Sequence, residues 1–484
     1  MEPLSWTGIL APLVTALWIA AAAAAALAAL RFAAGFVLAP AEGQANADGT
    51  LTASRGPLEW LEQAAFLALS AVAGVVLIFV LGGAALGLEA GLIGGIFRRL
   101  IPVWIALGIT LAGSYLLRGR LGLYGKLFDS VIGTAGLVLV LFWVFAAVFG
   151  TFDLIVTHNP LGQSGAMKNE VPGTPYTRMI GETAEGAYPV YLLGGDNLGR
   201  DVFSRMIAGS WTVVQIAPLA TAFAFMVGIT LGLPAAYFGG RLDTVLTFLA
   251  NLILAFPVIL LFYLLVTPEI VATGIPTYMA AVMFLFPILF LTILLNARYH
   301  TRPALRLGLL AAVIGASGWL YLSLVSERLG AVHILPDWLD LFDVPGGILV
   351  VFVSVVFVNA PTVFRIVRGI ALDIKTRDYV AAAQTRGEGP WYIMLWEILP
   401  NARGPLIVDF CLRVGYTTIL LGTLGFFGLG LPPESPDWGS TINDGRKLLA
   451  IYPHPALAPA LALLSLVLGL NLLADGLREE SLRD

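Results

Sequence analysis

"RDYVAAAQTRGEGPWYIMLWEILPN", residues 377–401, crowds charges, a Gly-x-Gly-Pro break and a late proline between apolar runs that hold hardly a charge. In its first half, Asp378 to Arg386, Tyr379, Val380 and Ala383 recur at i, i+1, i+4 spacing, which predicts one apolar face of a short amphipathic helix. The alanines Ala381 to Ala383 keep that helix slim enough for another surface to approach closely. Gly387 and Gly389 supply a helix stop, and Pro390 fits the first turn of the next helix. Trp391, Tyr392 and Trp396 then suit the aromatic belt of a membrane boundary. The residues alone predict a cytoplasmic helix lying along the membrane between two spans. Two uses fit it: an interfacial loop, or a docking element for another protein.

Composition supplies the membrane. The chain has 484 residues, 58% hydrophobic and 12% charged, with a mean hydropathy of +0.88. Soluble domains are about 25% charged, so an all-α polytopic membrane protein is expected. A net charge of -4 offers nothing to nucleic acid. The single cysteine, Cys411, excludes a disulfide framework and a thiolate metal cluster, and its apolar setting reads as a packed thiol. Met1 to Leu30 lacks the basic n-region of a cleavable signal peptide, and its apolar run is too long for one.

A span needs about 20 predominantly apolar residues. About eleven stretches qualify, at roughly 9–36, 63–87, 100–117, 131–155, 211–237, 244–267, 277–297, 304–325, 346–367, 404–428 and 455–474. The third is short and interrupted by glycine. Lys and Arg set the orientation. With the C-terminus inside and the N-terminus outside, Arg118, Arg120, Lys126, Arg298, Arg302, Arg306 and the run from Arg365 to Arg403 all fall in cytoplasmic loops. Arg98 and Arg99 fall outside and break the rule. An outer loop, 157–210, is rich in Gly, Pro and Thr.

Three separated motifs give the chain a resemblance. "DYVAAAQTRGEGPWYIMLWEILPN" is similar to the EAA loop of ABC importer permeases of the dipeptide/oligopeptide/nickel subfamily. It keeps Tyr379, Val380, the pair Ala382 and Ala383, Gly387 and the closing Ile398-Leu399-Pro400-Asn401. It departs at Ala381, where the family has glutamate, and at Glu397, where histidine is common. "GGDNLGRDVFSRMIAGSWTVV" resembles the segment before the family's second core helix. "LGFFGLGLPPESPDWGSTINDGRKLL" with "NLLADGLREE" resembles its closing loop and helix, and "AAYFGGRLDTVLTFLANLILAFPVILL" its turn between helices 2 and 3.

The resemblance implies a six-helix, type I importer (MetI-like) permease core with about five additional helices. It divides the chain into accessory helices over 1–130, core helices 1–3 over 131–268, an inserted pair over 269–345, and core helices 4–6 over 346–484 with the coupling loop at 373–401. It implies that Tyr379, Val380, Ala382, Ala383 and Gly387 serve coupling to an ATPase. It also implies a homologous second permease, two ATP-binding subunits carrying ATP and Mg, a periplasmic solute-binding protein and a bacterial inner membrane. The accessory spans are expected at the periphery, outside the solute path.

Other residues keep two readings. "GDNLGRD" lacks both GxGxxG and GxxxxGK[ST] spacing, so a structural elbow is expected. Asp196 or Asn197 would serve it as a turn or N-cap residue, with Val202, Phe203, Met206 and Ile207 on one face of a short outer helix. A part in an outer gate is the sharper reading. Asp409 and Arg413, four apart in an apolar span, can neutralise each other; they either anchor the helix or line the path, and Asn251 is equally ambiguous. His158, His300, His333 and His454 are scattered and lack metal-site spacing. No Walker A pattern occurs, so ATP hydrolysis is expected of partner subunits, with no cofactor on this chain. A secondary transporter, which would show midplane charges and broken helices, and a non-transport membrane scaffold are the remaining alternatives.

Overall fold

The computed structural model describes residues 2–37, 44–45, 51–52, 57–176, 188–325, 346–429 and 434–481. His333, part of the expected outer loop (177–187), the end of the inserted stretch (326–345) and residues 430–433 of the last motif lie outside them. The principal helices are α1 (Ala11–Val37), α2 (Pro57–Leu86), α3 (Ile101–Leu116), α4 (Val131–Thr151), α5 (Val202–Phe238), α6 (Gly240–Leu254), α7 (Val258–Val266), α8 (Ile275–Met283), α9 (Leu285–Arg298), α10 (Pro303–Val325), α11 (Gly346–Ile374), α12 (Asp378–Thr385), α13 (Arg403–Phe426), α14 (Trp438–Arg446) and α15 (His454–Ser481). They fall into two compact units, Met1–Pro102 with Ser164–Asp201, and Val103–Gln163 with Val202–Asp484. The outer loop, expected to go with the core helices, is thus divided, and Ser164–Asp201 groups with the N-terminal residues.

In the first unit α1 and α2 pair lengthwise. The loop part is ordered around Asp196, which is 1% exposed. Its Oδ1 accepts from the Leu198 and Arg200 amides (2.8 and 2.9 Å), and Arg200 Nε donates to its Oδ2 (2.6 Å). Asp196 is therefore the turn residue of the elbow. Tyr191 donates to the Gly199 carbonyl (3.1 Å), and burial pushes its phenol well above the usual range. The short outer helix expected over Val202–Ile207 is not separate. It is the first turn of α5, which runs unbroken past Pro218 and Pro234, and Val202, Phe203 and Ile207 are buried.

The second unit holds the tightest packing. Of the most apolar window of Gly347–Ile374, 78% is buried, against 0% for Pro303–Ser323. The long partners α5 and α11 lie side by side. Helices α4 and α15 meet along a glycine seam: a Cβ on Gly476 would sit 2.3 Å from the Gly133 Cα, and one on Gly136 2.3 Å from the Leu473 amide nitrogen. Such small-residue seams let helix backbones approach where burial from lipid supplies no drive. The inserted pair behaves unevenly. The first inserted span is not peripheral. Its Phe284 sits among Phe223 and Phe352 with ring centroids 5.6 and 5.8 Å away, joining it to α5 and α11. Helix α10 is the one that stands exposed.

Among the described residues nine helices are long and apolar enough to cross a membrane, and the pair α6–α7, bent by 82°, would make a tenth. The bend falls at Phe256–Pro257, where proline lacks an N–H and turns its predecessor away from helical angles. Helix α3, the short third candidate, has only 16 residues. Contacts between distant segments show which ends share a membrane face. The Leu92 amide donates to the Ser5 carbonyl (3.0 Å), so α1 and α2 leave and return to one face. The Leu4 amide donates to the Gly173 carbonyl (3.0 Å), tying the N-terminal residues to the loop part of the same unit. By the same logic Lys375 Nζ, on the Tyr237 carbonyl (2.7 Å), and Arg298, over the Trp396 ring, require α6–α7 to make a net crossing. Ser130 Oγ reaches Glu479 Oε2 (3.5 Å), so the C-terminal helix ends with the α3–α4 connection.

Two outcomes check this arrangement. Single cysteines at Leu4 and Gly173, in a Cys411→Ser background, should react with an impermeant thiol reagent from the same side as each other, and so should a second pair at Gly119 and Glu479. Reaction of the two members of either pair from opposite sides would contradict the contacts that join them. Gly136→Leu should reduce the yield of folded protein sharply, since overpacking costs about 1–3 kcal/mol even where neighbours can shift. Unchanged yield and unfolding temperature would refute the seam.

Candidate functional site

Helix α12 is seated, not free. Val380 and Ala383 are both 0% exposed and join a cluster with Ala236 of α5, Val367 and Ala371 of α11, and Ile393, Met394 and Ile398 beyond the glycine break. The apolar stripe expected to meet a partner is therefore turned, at these two positions, onto the chain's own core. The reason is spacing: i, i+3 residues point the same way, and that way leads to the membrane helices. Tyr379 lies off the stripe at 39% exposure, and Ala381 and Ala382 are exposed. Burial of one Val-sized side chain is worth about 1.5–3 kcal/mol, enough to hold so short a helix in place. Asp378 lies in the first turn, where its charge suits the helix dipole.

The stop after α12 uses Gly387 at φ +79°, a left-handed angle that glycine adopts without steric cost. It lets the Glu388 amide donate back to the Ala383 carbonyl (3.2 Å). The chain then enters a π-helical turn, Ile393–Ile398, whose Ile393, Met394, Leu395 and Ile398 are buried. π turns occur mostly as single insertions, often at functional sites. Trp391 is exposed, while Trp396 is half-buried, so the expected aromatic belt is split. Glu397, the departure from the family pattern, accepts from Arg386 Nη2 (2.9 Å) and so ties the end of α12 to the π turn. The pair is partly exposed, and such pairs are worth about 0–1 kcal/mol. Lys375 donates to the Ala236 and Tyr237 carbonyls (3.2 and 2.7 Å), placing a cation on the C-terminal end of α5.

Within the membrane region Arg413 Nε donates to Asp409 Oδ2 (2.7 Å), with side chains 11% and 16% exposed, as the i, i+4 spacing expects. Asn251 is not brought to them. It is exposed on α6, and its carbonyl accepts the Ala255 amide (2.9 Å) just before the bend. Sequence reasoning missed a more buried polar group. Asn359 Nδ2 donates to Thr417 Oγ1 (3.3 Å), and Thr417 Oγ1 lies 3.3 Å from Thr221 Oγ1, linking α11, α13 and α5. The signal was available as a lone Asn in a Val-rich run and a Thr-Thr pair in a Leu-rich one. Asp243 and Arg368 also form a bidentate pair, with Arg368 Nη2 donating to Asp243 Oδ2 (2.6 Å).

At the other end of α5 a second network locks the last motif. The Arg205 guanidinium donates to the carbonyls of Pro160 (3.2 Å) and Ser435 (3.0 Å) and to Thr441 Oγ1 (3.2 Å). Trp438 is 1% exposed, donates to the Met206 carbonyl (2.7 Å) and meets Trp143 edge-on at 5.0 Å. Asp437 caps α14 by accepting the Ser440 amide (2.9 Å). Burial raises its carboxyl above the usual carboxylate range, against the opposing pull of the Ser440 hydrogen bonds and Arg205. A carboxyl raised by folding binds its proton more tightly in the folded chain, so stability falls as pH rises from the unfolded value through the folded one. Asp437→Asn should flatten that slope in thermal unfolding between mildly acidic and neutral pH. Asp437→Ala should also lose the cap, about 1 kcal/mol. An unaltered slope in Asp437→Asn would contradict the assignment.

Comparison with known proteins comes down on these same elements. Residues 228–479, which contain α12, the π turn, α13, α14 and all but the last two residues of α15, match the family model for the binding-protein-dependent transport system inner membrane component. The chain is 28% identical over 295 residues to the glutathione transport system permease protein GsiD of Pectobacterium atrosepticum, covering 61% of this chain and 73% of that protein. It is 28% identical over 295 residues to the dipeptide transport system permease protein DppC of Haemophilus influenzae, covering 61% and 75%. The DppC protein of Alkalihalophilus pseudofirmus is 26% identical over 332 residues, covering 69% and 82%.

Proposed function

This chain belongs to the family of binding-protein-dependent transport system inner membrane components, as an ABC importer permease of the peptide transport group, and from that premise we propose that α12 is its contact with a separate ATPase subunit. The observation that carries the proposal is the two-sidedness of the helix: Val380 and Ala383 grip the core, while Tyr379 and Ala382 face outward. A load received on the outer face would pass to α5 and α11 through the buried one. Gly387 sets where the helix ends. The family implies ATPase and binding-protein partners in general terms; a second homologous permease and two ATP-binding subunits, carrying ATP and Mg, are the composition we propose. Peptides or similar small solutes are the proposed cargo, in keeping with the glutathione and dipeptide systems named for the relatives. The proposed setting is a bacterial inner membrane, with α12 on the cytoplasmic face and the N-terminus on the periplasmic one. Asp409, Arg413 and Asn251 remain candidates for the path or gate, with the buried pairing favouring an anchoring role for the first two. The broken helix α6–α7 is the one feature a secondary transporter would share; its break is explained by Pro257.

The two faces of α12 separate experimentally. Ala382→Arg should leave the chain inserted and folded yet abolish co-purification of the ATPase subunit. Ala383→Arg should instead destabilise the permease itself, because an unpaired charge left buried costs several kcal/mol. Normal co-purification and transport by Ala382→Arg would refute the docking role.

A further inference from the structure

The inserted stretch contributes nothing to the family motifs, yet one end of it reaches the coupling segment. Helix α9 delivers Ala297, 8% exposed, into the cluster that buries Val380 and Ala383, and packs Ile293 and Leu294 against it. At its C-terminal end the Arg298 guanidinium lies over the Trp396 ring, 4.5 Å from the centroid. Just beyond, His300 meets Tyr392 edge-on at 5.7 Å. Trp396 stands in the π turn and Tyr392 immediately before it, between the docking helix α12 and the membrane helix α13. Among the described residues the buried Trp396 indole nitrogen has no hydrogen-bond partner, so among them the ring is held by its faces and not by its polar edge.

A π turn interrupts the regular helical ladder and recurs at functional sites, so what holds this one from outside bears on whether it passes on a displacement. A cation stacked on an indole is attracted by the negative face of the ring, and it fixes the ring's plane as well as its position. We propose that α9 braces this joint, with Arg298 as the positioning residue, so that movement of α12 reaches α13 instead of being absorbed in the turn. Helix α9 would then be a part of the coupling machinery. The inference rests on the docking role of α12.

The sole native cysteine, Cys411, is on α13 and serves as a reporter that needs no knowledge of the solute. In the assembled transporter, its labelling by a permeant maleimide is compared with and without a non-hydrolysable ATP analogue. The expected result is at least a threefold nucleotide effect in the unaltered complex, falling below twofold in Arg298→Ala and in Trp396→Leu. Both variants should keep their ATPase subunit, and Arg298→Lys should restore most of the response. The double variant should be no worse than either single one, since both changes break one contact. The inference is overturned if the nucleotide effect persists in both single variants, if their effects add, or if the unaltered complex responds not at all. Failure of the docking reading is distinct: it would appear as ATPase co-purification surviving Ala382→Arg.

Discussion

Helices surrounded by lipid gain nothing from hiding apolar side chains in one another, because the surrounding tails are as apolar as leucine. What remains is close contact between backbones and a few well-made polar links. This chain uses both. The Gly133–Gly476 approach joins α4 to α15, and the Asn359–Thr417–Thr221 group joins α11, α13 and α5. Helix α10, whose most apolar window is 0% buried, is tied by a link of this kind through Tyr321, which donates to the Ala281 carbonyl (3.0 Å). Within the second unit the difference between the packed helices and the exposed one follows from where the small and polar residues sit.

The same constraint loosens at the membrane boundary, where water restores the value of burial. There the cluster behind α12 collects Val380 and Ala383 of α12, Ala371 and Ile374 of α11, Ile393 and Met394 of the π turn, Ala297 of α9 and Ala236 of α5. These five pieces of chain meet in one apolar knot. Polar groups finish its rim: Lys375 on the end of α5, Arg386 on Glu397, Asn401 on the Glu397 carbonyl (2.7 Å). The result is a short helix made rigid from behind, with its other side left to solvent. Rigid backing is what a helix needs if it is to pass on a displacement.

Much of this was legible in the sequence, for physical reasons. Long apolar runs and a low charge content dictate helices in lipid, and the Gly-x-Gly-Pro break marks both ends of the coupling turn. The Asp409–Arg413 pair follows from helical spacing alone. Other features were not legible. An apolar stripe says that a face is covered, not by what, so Val380 and Ala383 looked like partner contacts until the core was seen behind them. The Val202–Ile207 segment has the composition of an interfacial helix, and only its continuity into α5 shows otherwise. Aromatic and alanine residues in 277–297 are common to lipid-facing and packed helices, so the contact of Phe284 with Phe223 and Phe352 could not be read from them. The pairing of Leu4 with Gly173 depends on residues 169 apart in the chain.

Helix α12 has one face bolted to the core and the other exposed. Thiol accessibility measures that directly. Cysteines are placed singly at 382 and 383 in a Cys411→Ser chain and treated with a water-soluble maleimide, first in the isolated permease and then in complex with its ATPase subunit. Position 382 should react readily when the permease is alone and become protected in the complex, while position 383 should stay unreactive in both. Ready reaction of position 383 in the isolated chain, or equal reaction of position 382 in both states, would contradict the account.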